Sequence, residues 1–208
     1  MNIRTSLSLT FICISAFYLL SCNTQLFDGK TLDGWEGDMN TWKVVDGAIV
    51  GGSLSETVPH NNFLCTTSSY DNFVLKLKFK LEGNGGFINA GVQFRSQRAT
   101  DPAYEMIGYQ ADIGDKYYGA LYDESRRNKV LAGLDSLASS AIVNHGDWND
   151  YEVRAENETI KIFLNGQQTV DYTEPNSIIP QNGLIGLQIH GGGKALVSYK
   201  DITIEIID

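Results

Sequence analysis

The stretch NFVLKLKFKLEG, Asn72 to Gly83, decides the fold class. Phe73, Leu75, Leu77, Phe79 and Leu81 fall on one side of an extended chain, and Lys76, Lys78 and Lys80 fall on the other. A period of two, sustained this long, makes a strand with one buried face and one wet, basic face. Upstream, WKVVDGAIVGG (Trp42–Gly52) reads as a hairpin turning at Asp46-Gly47, a dipeptide suited to a tight turn with positive φ. Downstream, Asp150–Gly166 holds two more strands, and Asn165-Gly166 turns the chain into QQTVDYT. GLIGLQIHGGG and ALVSYKDITIEII close the sequence, again alternating. No long stretch has helical period, and no GxGxxG follows a strand. With 21 glycines and only 4 prolines, the chain suits many turns. On the order of ten short strands in one domain predict two packed antiparallel sheets, an all-β jelly-roll sandwich.

The N-terminus reads differently. LSLTFICISAFYLL (residues 7–20) follows Arg4 and is short for a membrane span. It ends in Leu19-Leu20-Ser21-Cys22, which looks like a bacterial lipobox: residues 1–21 form a signal peptide and Cys22 becomes the lipidated first residue. A plain signal peptide that happens to hold a cysteine is the alternative. Residues 22–208 then form a single domain in the cell envelope, anchored by lipid at the periplasmic or outer surface. The formal charge of −9 argues against a nucleic-acid partner, because phosphate neutralisation needs clustered Lys and Arg. Of the 3 cysteines, only Cys65 lies in the body of the chain, so no intramolecular disulfide or cysteine metal motif is expected. Inside FLCT it reads as a small buried hydrophobe.

Three apolar-faced strands each carry a polar pair two residues apart. In AGVQFRS the pair is Gln93 and Arg95; in GYQADIG it is Gln110 and Asp112; in GLIGLQIHGG it is Gln188 and His190. Taken singly, each pair would serve as the solvent face of its strand. Glutamine and histidine are unusual there, however, and Gly108, Gly114 and Gly191–Gly193 leave room beside them. If the three strands are neighbours, the pairs form one patch. The segment GYQADIGDKYYGALYDESRR (Gly108–Arg127) adds Tyr109, Tyr117, Tyr118, Tyr122, Asp123, Glu124, Arg126 and Arg127. Rings beside carboxylates and arginines suit a sugar, which stacks its CH faces and hydrogen-bonds its hydroxyls. The same tyrosines could cap a sandwich edge.

Taken together, LFDGKTLDGW (Leu26–Trp35), the Gly108–Arg127 segment, HGDWNDYEV (His145–Val153), LNGQQTVDYTE (Leu164–Glu174) and GLIGLQIHGG (Gly183–Gly192) resemble the 3-keto-disaccharide hydrolase domain family. The resemblance runs from about Leu26 to the C-terminus. It implies a concanavalin-like jelly roll acting on glycosides already oxidised to a ketone at C3, as a 3-keto-glucoside 1,2-lyase and a 3-keto-2-hydroxyglucal hydratase. The C3 ketone acidifies the C2 hydrogen, so a modest base, an electrophile for the enolate oxygen and a proton donor suffice. On this reading Asp112 or Glu124 is the base and His190 an acid or base. Arg95 or Arg126 stabilises the enolate. Gln93, Gln110 and Gln188 orient hydroxyls, while Tyr109, Tyr118 or Tyr122 stacks or donates a proton. Relatives often carry Trp where this chain has Tyr118, so ring size there would bear on the leaving-group subsite. The spacing demands no cofactor; a divalent cation, Ca²⁺, Mg²⁺ or Mn²⁺, would suit the oxygen-rich donors, and which residues would ligate a metal is unknown. Two rival classes use the same fold: a carbohydrate-binding module needs the aromatic and amide groups without the acid/base pair, and a jelly-roll glycosidase needs two carboxylates flanking one bond.

Overall fold

The computed structural model describes residues 23–207; the apolar leader and Cys22 lie outside them. In chain order the strands are β1 (Thr24–Gln25), β2 (Trp35–Glu36), β3 (Trp42–Val45), β4 (Ala48–Gly52), β5 (Asn62–Tyr70), β6 (Phe73–Gly86), β7 (Asn89–Arg98), β8 (Met106–Gly114), β9 (Leu121–Glu124) and β10 (Lys129–Ala132). One short helix, α1 (Ser136–Ile142), precedes β11 (Asn149–Glu156), β12 (Thr159–Leu164), β13 (Gln167–Thr173), β14 (Gly183–Ile189) and β15 (Gly193–Ile206). The helix was not expected from periodicity. It lasts two turns, and Asp135 caps it by accepting from the Leu137 and Ala138 backbone N–H groups.

The first sheet runs β13-β12-β11-β6-β15-β4-β3, with β1 added on β15; the second runs β10-β9-β8-β7-β14-β5-β2. All pairings are antiparallel. Two antiparallel sheets pack face to face as a jelly-roll sandwich, as the strand pattern predicts. In β6 the alternation is realised: Phe73, Leu75, Leu77, Phe79 and Leu81 are buried between the sheets. Each such side chain withdrawn from water stabilises the fold by about 1.5–3 kcal/mol. Lys76 and Lys80 pair with Glu152 and Glu82 on the outer face, and Lys78 pairs with Asp150. Asp46-Gly47 joins β3 to β4 with φ of 49° and 77°, and Asn165-Gly166 joins β12 to β13 with 48° and 79°. Both dipeptides form the tight turn that requires positive φ at its two central residues.

For function, the decisive feature is strand order. β8, β7 and β14 are consecutive neighbours, so the three polar pairs of the sequence do lie on adjoining strands.

Candidate functional site

The outer face of the second sheet carries the site. Directly opposite one another across the strands lie Gln188, Gly91 and Asp112, and in the next row Gly186, Gln93, Gln110 and Tyr122. Glu124 stands opposite Gly108 one step further along β8 and β9. A pocket of about 150 Å³ opens over this face, lined by Phe87, Asn89, Gln110, Asp112, Tyr117, Tyr122, Glu124 and His190.

The polar floor is tightly ordered. Ser96 Oγ donates to Gln93 Oε1 at 2.8 Å, and Gln93 Nε2 donates to Gln110 Oε1 at 3.3 Å. That chain fixes the Gln110 amide with its NH₂ group free to donate. Gly91 makes the arrangement possible: a Cβ there would lie 2.6 Å from Gln110 Cδ. From the opposite sheet two core tyrosines hold the floor's backbone. Tyr151 donates its hydroxyl to the Asp112 carbonyl at 2.9 Å, and the Tyr199 hydroxyl lies 2.9 Å from the carbonyls of both Gly91 and Gln188.

Asp112 is buried, and its Oδ1 accepts from Asn89 Nδ2 at 2.7 Å and from the Ile113 N–H at 2.9 Å. Burial pushes its carboxyl up to about 7, with the Glu124 charge adding to the rise and the two hydrogen bonds opposing it. Glu124 also rises to about 7, through burial first and the Glu105 charge second. Two carboxyls in one small pocket are therefore both poised near neutrality. His190 donates from Nδ1 to the Gly191 carbonyl at 2.6 Å, since a carbonyl can only accept; in the neutral ring Nε2 is then the free acceptor. Its ring meets Phe87 edge-on, with centroids 4.7 Å apart.

Asp112, Glu124, His190, Gln110 and Tyr122 thus converge as expected, with Gln93 and Gln188 in the buried floor. Four other candidates stand elsewhere. Arg95 fails the parity argument because β7 bulges between Phe94 and Gln97, and Arg95 itself takes φ of 48°. Its buried guanidinium instead donates to the Asp71 and Asn157 carbonyls, Gln181 Oε1 and Asn72 Oδ1, at 2.6–3.1 Å. Arg95 ties three loops together at one end of the sandwich. Tyr109 faces the core, where its hydroxyl donates to Glu174 Oε2 at 2.6 Å. Arg126 lies 4.5 Å over that ring and pairs with buried Asp123, and Arg127 bridges Asp123 and Glu174. Tyr118 is also in the core, stacked on Phe79 and edge-on to His145, so its ring size does not shape the pocket. The resemblance implies ligand contacts for Tyr109 and Tyr118, yet both bury their rings, because the alternation of β8 and the turn after it send them inward.

Sequence reasoning missed Asn89, Phe87 and Glu105. Asn89 was legible, since it shares parity with Gly91 and Gln93 on β7. Phe87 and Glu105 sit in connections, where no period exists to place them. Cys65 is buried beside Met106, and burial raises its thiol to about 12, which keeps it protonated and unreactive. Among the described residues no three His, Cys, Asp or Glu side chains are grouped as a metal site needs.

The sandwich is a concanavalin-like jelly roll that carries a polar, aromatic pocket on one face. Residues 23–205 match the model of the 3-keto-alpha-glucoside-1,2-lyase-like domain, and the chain belongs to that family. Among solved structures it is similar to a candidate glycosyl hydrolase from Parabacteroides distasonis, at 23% identity and a TM-score of 0.65, covering 89% of this chain and 94% of that one. It is also similar to the carbohydrate-binding module CBM66 from Bacillus subtilis (18% identity, TM-score 0.63, covering 83% and 95%). A third similar structure, a protein with a galectin-like fold from Bacillus subtilis, has 12% identity and a TM-score of 0.58, covering 82% and 87%. At these identities the structural likenesses speak for the fold alone. A comparison with proteins of curated function returns no match.

Proposed function

We propose that the protein cleaves glycosides carrying a ketone at C3, by elimination across C1–C2 followed by addition of water. The observation that carries this reading is the pair Asp112 and Glu124, both held near pKa 7 in one pocket with an amide and an imidazole. A base and an acid poised near working pH are what proton abstraction and leaving-group protonation require.

In the first step one carboxylate takes the C2 proton, and the electron pair moves into the C2–C3 bond to give an enolate. Gln110 Nε2 is the donor that stabilises the charge on the C3 oxygen. Next the enolate collapses, the C1–O bond breaks, and the partner carboxyl gives its proton to the leaving oxygen. Water then adds across C1=C2, its hydroxyl going to C1 and a proton to C2, so the net change is hydrolysis. Asp112 suits the base, because Asn89 and the Ile113 N–H both bind Oδ1 and leave Oδ2 to the pocket. Glu124 suits the acid, since burial first and the neighbouring Glu105 charge second favour its protonated form.

The test is to incubate the protein with a 3-keto-glucoside and with its unoxidised parent, following C2 hydrogen exchange in D₂O by NMR. Exchange and cleavage of the keto compound alone are expected. Binding of either compound with neither exchange nor cleavage would make the domain a carbohydrate-binding module instead.

A further inference from the structure

The 150 Å³ pocket has room for about one sugar ring, yet a disaccharide has two. A second cavity of about 550 Å³ lies on the same face of the sheet, towards its β5–β2 edge, where Glu36, His60, Asn62, Phe63, Arg98 and Tyr104 line it. The two are joined by one row of residues: Phe63, Gln188, Gly91 and Asp112 stand opposite one another across β5, β14, β7 and β8. Three strand spacings separate the ends of that row, about 14 Å, a span on the scale of two linked pyranose rings.

What lies between the cavities is polar. The loop joining β7 to β8 reaches over β14 to β5, since Tyr104 stacks on His60 (centroids 4.0 Å, 20°) and Glu105 Oε1 accepts from Asn61 Nδ2 at 2.7 Å. Asn61 in turn accepts from the Gly191 N–H, the residue after His190 of the first pocket. Beneath this bridge neither amide atom of Gln188 has a protein partner, although the side chain is fully buried, and Glu105 Oε2 likewise has none. Buried polar atoms left unpaired are uncommon and mark positions where a ligand group or water belongs.

Resting on the elimination reading, we infer that the His60–Tyr104 cavity is the leaving-group subsite. The unoxidised ring of a 3-keto-disaccharide stacks on Tyr104, which is 43% exposed, and the linking oxygen crosses above the Asn61–Glu105 bridge. Arg98, held by the Glu36 carbonyl at 2.9 Å, supplies hydrogen bonds to its hydroxyls.

The experiment compares the wild-type chain with Tyr104→Ala and His60→Ala on two compounds: a 3-keto-disaccharide and a methyl 3-keto-glucoside. Cleavage kinetics are read beside saturation-transfer NMR of the unoxidised ring. The expected result is a rise in KM of roughly three- to tenfold on the disaccharide for each variant, no change on the methyl glycoside, and loss of the saturation signal from the unoxidised ring. Equal effects on both compounds, or none on either, would overturn the subsite while leaving the elimination chemistry standing. Should the wild type bind the disaccharide without cleaving it, the chemistry fails and the saturation signal alone decides: lost in Tyr104→Ala, the subsite stands; retained, it falls. No binding of the disaccharide overturns both.

Discussion

Asp112 and Glu124 share a pocket, and the Glu124 charge adds to the proton affinity that burial gives Asp112, so their titration steps belong to the pair. Activity should therefore follow a bell whose two limbs lie close together around pH 7. Asp112→Asn keeps an acceptor for Asn89 but removes the base. We expect kcat/KM on a 3-keto-glucoside to fall about 10²–10⁴-fold, with a comparable loss for Glu124→Gln and little change in KM. Wild-type turnover in both variants would remove these carboxyls from the mechanism. Stability carries the same signature with a definite sign. Both carboxyls have folded pKa values raised from about 4 to about 7, so the folded state holds protons that the unfolded chain releases. Their contribution is complete below about pH 4 and is lost as pH rises to about 7, at no more than about 1.4 kcal/mol per unit for each group. Glu174 acts oppositely. Burial alone would raise it, but Arg127 and the Tyr109 hydroxyl outweigh that and hold it at about 2, so its contribution is lost as pH falls from about 4.5 to 2. The melting temperature should peak in mildly acid solution. Asp112→Asn should flatten the decline between about pH 4 and 7, which thermal melts across that range would read.

At the scale of elements, the β7 bulge decides what the alternation of AGVQFRS does. Up to Phe94 the strand obeys a period of two; the extra residue then turns Arg95 away and brings Ser96 to the polar face, where it orients Gln93. A bulge leaves little mark in composition, because it is fixed by partner strands and by the loops that Arg95 reaches. Arg95→Met should remove the guanidinium from two backbone carbonyls and two amide oxygens, of which Asn72 Oδ1 keeps the Asn157 N–H. Hydrogen bonds to a charged group contribute about 1.5–3 kcal/mol each, so the variant should lose several kcal/mol in denaturant titration. Its kcat at low temperature should stay within about twofold of wild type, a margin of ~0.4 kcal/mol. A large loss of kcat with unchanged stability would return Arg95 to the chemistry.

Across the whole molecule, the sandwich sets one polar face above a largely apolar core, from which Tyr151 and Tyr199 bond the floor's backbone. The first strand, β1, starts two residues after Cys22 and pairs with the far end of β15. No helix among the described residues is long and apolar enough to cross a membrane. We propose that Cys22 carries the lipid that holds the domain at the cell envelope. Cys22→Ala should move the protein from the membrane to the soluble fraction of the expressing cells and abolish incorporation of labelled fatty acid. Unchanged fractionation without lipid in the wild type would leave an ordinary cleaved leader.

The sequence by itself determined the sandwich, the turns at Asp46-Gly47 and Asn165-Gly166, and the polar faces of β8 and β14, because side-chain alternation and turn chemistry are local properties of the chain. It reached Asp112, Gln110 and His190 by the same rule, and Tyr122 and Glu124 from the composition of Gly108–Arg127. Strand order, the β7 bulge and the inward turn of Tyr118 were decided only by tertiary structure. So was the placing of Asn61, Tyr104 and Glu105 over β14. These depend on which residues, distant along the chain, come to share buried hydrogen bonds and one packed core, and pairings of that kind carry no period that a single strand could reveal.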